Sequence, residues 1–107
     1  MKKITIKLDL EYGCEPIWLL DEDGLTIDTA LPSELKGDKD LIELMHKITC
    51  EFDSQWINDN KEFTFVGFKT PEDKAKFKSD LICFATKIKA KLKGKYKIID
   101  AFHYEYY

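Results

Sequence analysis

The chain contains no arginine, and all 17 of its basic residues are lysines. Arginine is the side chain that most often reads guanine edges, so its absence weighs against sequence-specific recognition of nucleic acid. The net charge of −3 points the same way, because phosphate polyanions favour basic proteins. We therefore predict no direct nucleic-acid partner, and we interpret the lysines of the second predicted helix as a solvated face.

Long apolar runs are also missing, and no stretch approaches the roughly 20 residues needed to cross a bilayer. Alternating apolar and charged residues follow Met1, so the apolar region of a secretory signal is absent. The three cysteines, Cys14, Cys50 and Cys83, are widely separated and form no disulfide framework. These features predict a protein of the reducing cytoplasm with no membrane partner.

Metal and cofactor motifs are scarce. No cysteine or histidine pair has the spacing of a zinc site, and no glycine-rich loop is present to hold phosphate. Asp21, Asp23 and Asp28 offer oxygen ligands, but predicted strands flank them and the terminal glutamate of a calcium loop is missing. We predict an ordinary hairpin turn there, with no metal and no cofactor.

Catalytic groups are few as well. Only His46 and His103 could serve as imidazole bases. A pair formed by Cys14 with either histidine stays open as an enzyme alternative, because such partners meet in space rather than in sequence. Cys83 lies between Leu81 and Phe84 in the second predicted helix, and we assign it to the core. The main prediction is a protein that is not an enzyme and has no catalytic residues.

Five strands are predicted. Residues 3–10 alternate apolar and polar side chains, which is typical of a half-buried strand. Residues 17–20 and 25–28 flank an Asp-Gly pair and predict a hairpin. Phe63 and Phe65 indicate a further strand, and residues 96–102 are rich enough in β-branched and aromatic side chains to form the last one. With the hairpin counted as two strands, five short segments contribute to the sheet.

Two amphipathic helices are predicted between these strands. Residues 40–57 repeat apolar side chains at helical spacing after Asp40, which we expect to cap the helix with help from Glu43. Thr70-Pro71 and Gly94 mark the start and stop of the second helix. At 107 residues the chain predicts one domain, residues 1–107, in the α+β class. Its order is β-β-β-α-β-α-β, with a mostly antiparallel sheet and both helices on one face.

Charge is divided along the chain. Residues 1–60 contain 14 acids and six lysines, a balance of −8, whereas residues 61–107 carry +5. Many of the acids surround Trp18, and no lysine occurs from position 8 to position 35. Tryptophan is a preferred anchor in interfaces, and a rim of carboxylates speeds the encounter with a cationic partner. We therefore predict a docking surface formed by Glu15, Trp18, Asp21, Glu22, Asp23 and Asp28.

The chain resembles small bacterial immunity proteins of polymorphic toxin and contact-dependent growth inhibition systems. The resemblance is carried by residues 12–18 (Tyr-Gly-Cys-Glu-Pro-Ile-Trp), Asp-Glu-Asp-Gly at 21–24, Leu-Pro-Ser-Glu-Leu at 31–35, and residues 62–68 before the lysine-rich helix. It implies a cytoplasmic inhibitor that binds the C-terminal toxin domain of its cognate partner and covers its active site or substrate surface. A nuclease target would suit an acidic inhibitor, because nucleases carry cationic clefts.

A small-ligand or regulatory binding module is the alternative function. Its pocket would lie between sheet and helices and would be lined by Trp56, Phe65, Phe84 and Tyr96, although the same aromatics are more simply explained as core. Whether Trp18 faces the core, which strands are neighbours, and whether the protein is a monomer or a dimer are left open by the sequence.

Overall fold

In the computed structural model, the described residues are 4–58, 63–65, 67–68 and 70–107. The strands are β1 (Thr5–Leu8), β2 (Ile17–Leu20), β3 (Thr26–Asp28), β4 (Trp56–Asn58), β5 (Phe63–Phe65) and β6 (Lys97–Asp100). The helices are α1 (Lys39–Asp53) and α2 (Pro71–Lys91), and short 3₁₀ turns occupy Ser33–Leu35 and Tyr104–Tyr106. The α+β class is confirmed.

Four strands form the main sheet in the order β3-β2-β1-β6. The β1–β2 and β2–β3 pairings are antiparallel, whereas β1 and β6 run parallel with Thr5 opposite Lys97. The sheet is therefore mixed, although antiparallel pairings predominate as predicted. The strands β4 and β5 pair antiparallel in a separate two-stranded sheet.

The predicted order omits the strand β4. It does so because the first helix was predicted to continue to residue 57, through the start of this strand. Helix α1 ends at Asp53 rather than at residue 57, and Trp56 begins a strand. The ring centroid of Trp56 lies 6.2 Å from that of Tyr12 and 6.3 Å from that of Phe52, so its apolar contact with the helix is kept without helical backbone. Apolar spacing alone does not distinguish these two arrangements.

The predicted cap of α1 is also wrong. The carboxylate of Asp38 accepts the Leu41 N–H at 3.1 Å, whereas Asp40 lies inside the first helical turn. An N-cap residue needs extended backbone, which Asp38 has at φ −84° and ψ 95°. The signals for α2 are confirmed: Thr70 accepts the Asp73 N–H, Pro71 opens the helix, and Gly94 has a positive φ of 81° just beyond its end.

The core lies between the helices and one face of the main sheet. Ile6 and Leu8 of β1 and Ile17 of β2 are fully buried, and Leu41, Met45, Ile48 and Phe52 project from α1. The predicted stripe of α2 is confirmed, since Phe77, Leu81, Phe84, Ile88 and Leu92 are all fully buried. Among the described residues, neither helix combines the length and apolar character that a membrane span requires.

Candidate functional site

The turn between β2 and β3 is organised by the side chain of Asp21. Its Oδ1 atom accepts the N–H groups of Asp23 at 2.9 Å and of Leu25 at 3.0 Å. Gly24 occupies a positive φ of 82°, which an L side chain rarely adopts, and its N–H donates to the Asp21 carbonyl at 3.1 Å. Asp21, one of the predicted site residues, therefore forms the turn on which Glu22 and Asp23 lie.

Glu22 and Asp23 are exposed at the tip of this turn, and Asp28 is exposed at the end of β3. Between them lie two apolar side chains, Leu25 at 64% and Ile27 at 56% exposed. All three residues of β3 are exposed because this strand is the edge of the sheet. The acidic hairpin therefore combines carboxylates with an apolar surface of its own.

Leu25 and Ile27 are absent from the predicted docking surface. Their alternation with Thr26 and Asp28 is the ordinary sign of a half-buried strand. The sequence contains no direct signal that this strand is at the edge with its apolar residues uncovered. The acidic residues on either side are the one hint, since charge at both ends of so short a strand is typical of an edge.

Trp18 lies on the outer face of the main sheet, opposite the helices. It is paired with Lys7 across the β1–β2 ladder, and its neighbour Ile17 is in the core. The Lys7 ammonium group is 5.8 Å from the centre of the Trp18 ring, within range of a cation–π interaction. The indole is half-buried, and its Nε1 atom is buried without a hydrogen-bond acceptor.

Leu20 and Ile99 accompany Trp18 on this outer face. Leu20 is opposite Thr5 and Ile99 is opposite Lys7 in the strand pairings, so both project to the side that carries Lys7. Ile99 is 39% exposed. The outer face thus has an apolar centre beside a positively charged lysine, whereas the hairpin is negatively charged.

Glu15 is directed toward α1. Its Oε2 atom accepts the hydroxyl of Thr49 at 2.9 Å, while the nearby Gly13 N–H donates to Asp53 at 3.2 Å. Both contacts fix the loop before β2 to the first helix. Of the six predicted site residues, the structure groups Asp21, Glu22 and Asp23 in one turn and places Asp28 at the end of the adjacent strand. Glu15 and Trp18 occupy separate environments.

Metal binding at the acidic turn has no support in its geometry. Within the described residues, no group of three or more histidine, cysteine, aspartate or glutamate side chains could hold a metal ion. The Asp21 oxygen nearest the turn already accepts two backbone N–H groups. These contacts explain the aspartates as turn chemistry.

The cysteines differ from the sequence prediction in one case. Cys83 is exposed, so its assignment to the core is wrong. Buried Leu81, Phe84 and Ala85 face the core, and the intervening positions 82 and 83 of the same helix face solvent. At Cys14, burial and the negative charges of Glu11, Asp53 and Glu15 raise the pKa of the thiol. A raised pKa is the opposite of what an activated nucleophile requires.

Two lysines of α2 make ion pairs with acids elsewhere in the fold. Lys89 is 2.9 Å from Asp100, and Lys91 is 2.8 Å from Asp38. Lys47 of α1 in turn reaches Asp80 of α2 at 3.3 Å. These internal pairings support the interpretation of the lysines as a solvated face rather than as a row of phosphate contacts.

The aromatic residues named for the alternative ligand pocket differ in their surroundings where the structure describes them. Phe84 is fully buried, which confirms its assignment to the core. Trp56 and Tyr96 pack partly buried against that core, and the Tyr96 hydroxyl donates to Glu34 at 2.9 Å. The side chain of Phe65 lies outside the described part of the chain.

Comparison with known proteins places this architecture in a family. No curated protein matches the chain. The model of the family described as Serratia CdiI immunity protein-like matches residues 4–102, which include both helices and all strands of the main sheet. The resemblance found in the sequence is thereby confirmed. With nearly its whole length matched, the chain belongs to the Serratia CdiI immunity protein-like family.

Proposed function

We propose that this immunity protein neutralises a cognate toxin nuclease by covering its substrate-binding cleft with the acidic hairpin, residues 21–28. The exposed hairpin is the observation that carries the proposal. Glu22, Asp23 and Asp28 supply negative charge, and Leu25 and Ile27 supply the apolar contact area. The action is binding without a catalytic step.

Charge complementarity supports a nuclease target. An enzyme that cleaves a phosphate polymer has a cationic cleft, and an acidic hairpin would attract that cleft over the distances set by ionic screening. The acids extend from a rigid turn, because Asp21 fixes the backbone from Asp23 to Leu25. Rigid presentation lowers the entropy lost on binding.

The two parts of the hairpin have different roles in this proposal. Exposed carboxylates mainly raise the association rate, whereas buried apolar anchors mainly slow dissociation. Trp18 and Glu15 belong to the predicted surface as well. Since Trp18 lies on the outer sheet face and Glu15 binds Thr49, we propose that they flank the central contact formed by the hairpin.

Stopped-flow measurement of toxin binding tests the proposal. Glu22→Lys is the test variant and Glu43→Lys is the matched control, since both residues are exposed glutamates and both changes alter the net charge equally. We expect Glu22→Lys to lower the association rate about 3- to 10-fold at low salt, with the difference shrinking as salt rises. Equal association rates for the two variants would remove the hairpin from the interface.

A further inference from the structure

The outer face of the main sheet carries apolar side chains that neither helix covers. Both α1 and α2 pack on the inner face, where Ile6 and Leu8 of β1 are buried with them. The strand pairings place on the outer face Thr5, Lys7, Trp18, Leu20, Lys97 and Ile99. Of these, Ile99 is 39% exposed and Trp18 is half-buried. Apolar side chains grouped on one face are typical of a contact with another surface.

The two edges of this sheet differ in charge. The acidic hairpin forms one edge with β3, and Lys97 begins β6 at the other edge. Exposed Lys93 and Lys95 precede β6, and with Glu34 near Lys95 this cluster of three lysines keeps a net positive charge. At a strand spacing of about 4.8 Å the edges are about 14 Å apart, beyond the screening length of about 8 Å in physiological salt. The acidic and basic edges therefore persist without neutralising each other.

Both charged groups lie at the same end of the sheet. Thr5 is opposite Leu20, the last residue of β2 before the hairpin turn, and it is also opposite Lys97, the first residue of β6. The turn that carries Glu22 and Asp23 is therefore level with the start of β6 along the strands. The acids and the lysines differ in position only across the sheet.

This arrangement of charge is complementary to itself. When two outer faces are stacked about a two-fold axis parallel to the strands, β3 of each copy lies over β6 of the other, because the rotation exchanges the two edges. The strand ends keep their level, so the acidic turn of one copy meets the start of β6 in the other. A two-fold axis across the strands would leave like edges together and bring acid against acid. Charge therefore selects the first arrangement.

The centre of the outer face fits the same arrangement. The exchange of edges also places β2 over β1 of the other copy, with Trp18 over Lys7 because these residues share a level in the strand pairing. Within one chain their side chains already interact, with the ammonium group 5.8 Å from the ring centre. The same contact between copies is withdrawn from water and is therefore stronger. The hairpin brings exposed Leu25 and Ile27 to the edge that contains Ile99.

We propose that two copies of this chain form a two-fold dimer through the outer faces of their main sheets, with the acidic hairpin of each copy against β6 of the other. The dimer does not rest on the proposed toxin contact. The hairpin belongs to both contacts, so a toxin bound there would displace the second copy. Four strands of about four residues span only about 19 by 13 Å, and so small a face is typical of weak interfaces. We therefore expect the dimer to form at high protein concentration.

Sedimentation equilibrium of the full chain from about 5 µM to about 1 mM tests the proposal. We expect the mean mass to rise from that of a monomer toward that of a dimer across this range. The dimer should weaken as salt is added, since salt screens the charged edges. A chain that stays monomeric at the highest concentration would overturn the proposal. No toxin is present, so that result would leave the proposed function untouched.

Charge reversal tests the arrangement of the two copies. Lys97→Glu sets acid against the acidic hairpin, and because each contact occurs twice in a two-fold dimer we expect about 10-fold weaker dimerisation. Adding Asp23→Lys should return the affinity to within about 3-fold of the unmodified protein, since unlike charges then meet again. Lys74→Glu at the start of α2 changes the net charge equally and should have little effect. Dimerisation that Lys97→Glu leaves unchanged, or that Asp23→Lys does not restore, would contradict the arrangement.

Truncation tests the apolar part of the contact. Ile99→Ser should weaken dimerisation about 5-fold, because each copy then buries less apolar area. Ile82→Ser is the matched control, since Ile82 is 47% exposed on α2 and lies away from the sheet. Both side chains are partly exposed, so both variants should fold, and circular dichroism checks this. Equal effects of the two changes would place the interface elsewhere and overturn the proposal.

Discussion

The carboxyl groups of Glu51 on α1 and Asp80 on α2 interact with each other between the two helices. Glu51 Oε1 is buried without a hydrogen-bond donor, and Asp80 Oδ2 is 3.3 Å from the Lys47 ammonium group. Two ionised carboxylates cannot donate to each other, so a hydrogen bond between Glu51 and Asp80 requires a proton on one of them. Burial, followed by the hydrogen bond and the charge of Asp80, raises the pKa of Glu51 to about 7, although Lys47 and Lys76 oppose the shift.

This pair predicts a loss of stability near neutral pH. The folded pKa of Glu51 is above its unfolded value, so its contribution is fully present below about pH 4.5 and is lost as the pH rises through about 7. Glu51→Gln cannot ionise and should therefore remove this loss. Between pH 5 and pH 8 the unmodified protein should therefore lose on the order of 1 kcal/mol more free energy of unfolding than the variant loses. This figure allows for solvent screening of the partly exposed Glu51 carboxyl group.

Urea unfolding at the two pH values provides the measurement, with Glu43→Gln, an exposed glutamate of the same helix, as control. The control should follow the pH dependence of the unmodified protein. If the unmodified protein and Glu51→Gln lose the same free energy of unfolding between pH 5 and pH 8, the raised pKa of Glu51 is contradicted.

The cap of α2 allows a test with two threonines on one helix. Thr70 accepts the Asp73 N–H at the N-terminus, whereas exposed Thr86 only donates back to the Ile82 carbonyl. Thr70→Ala should lower the free energy of unfolding by about 1 kcal/mol. Thr86→Ala should raise it by a few tenths, because alanine has the higher helix propensity. Equal effects in thermal or urea unfolding would place the helix start elsewhere.

The two faces of α2 can be separated by truncating apolar side chains. Phe77 is fully buried among Phe52, Phe68 and Tyr107, whereas Ile82 on the same helix is 47% exposed. Phe77→Ala should cost about 3 to 5 kcal/mol of unfolding free energy, and Ile82→Ala less than about 1. Equilibrium unfolding followed by circular dichroism measures both, and a larger loss at Ile82 would reverse the orientation of the helix.

Thiol chemistry distinguishes the three cysteines. Cys50 and Cys83 are exposed, whereas burial and nearby acids raise the pKa of Cys14. At neutral pH, two equivalents should react rapidly with a thiol reagent such as 5,5′-dithiobis(2-nitrobenzoate), and Cys14 should react slowly because little thiolate forms. Cys50→Ser and Cys83→Ser should each remove one rapid equivalent. Fast labelling that disappears in Cys14→Ser would restore the enzyme alternative.

The apolar anchor of the proposed toxin contact can be located by truncation. Leu25 and Ile27 are exposed on the hairpin, so alanine at either position should leave the unfolding free energy nearly unchanged. If they anchor the toxin, each change should raise the dissociation rate about 10-fold. Trp18→Ala, on the outer sheet face, should have the smaller effect. The reverse ranking in surface plasmon resonance would make Trp18 the anchor and contradict the central role of the hairpin.

Much of the architecture followed from local patterns. Alternation predicted β1 and the β2–β3 hairpin, and the Thr70-Pro71 start predicted α2, because these signals act within a few residues. The parallel β1–β6 pairing was not predictable, since it joins residues at opposite ends of the chain. Trp56 was misplaced because an aromatic side chain can contact Phe52 from a helix or from a following strand.

Less of the candidate site than of the fold could be predicted from the sequence. Acidic residues and a turn glycine indicated the hairpin, but the exposure of Leu25 and Ile27 depends on the position of β3 at the sheet edge. The orientation of Trp18 depends on which face the helices cover.

The position of β1 at the centre of the main sheet affects how the protein forms. Its partner β6 follows both helices in the chain, so on a translating ribosome Thr5–Leu8 must wait for Lys97–Asp100 before the sheet can close. Pairing of such distant segments slows folding. One edge of β1 therefore stays unpaired until both helices and β6 have left the ribosome.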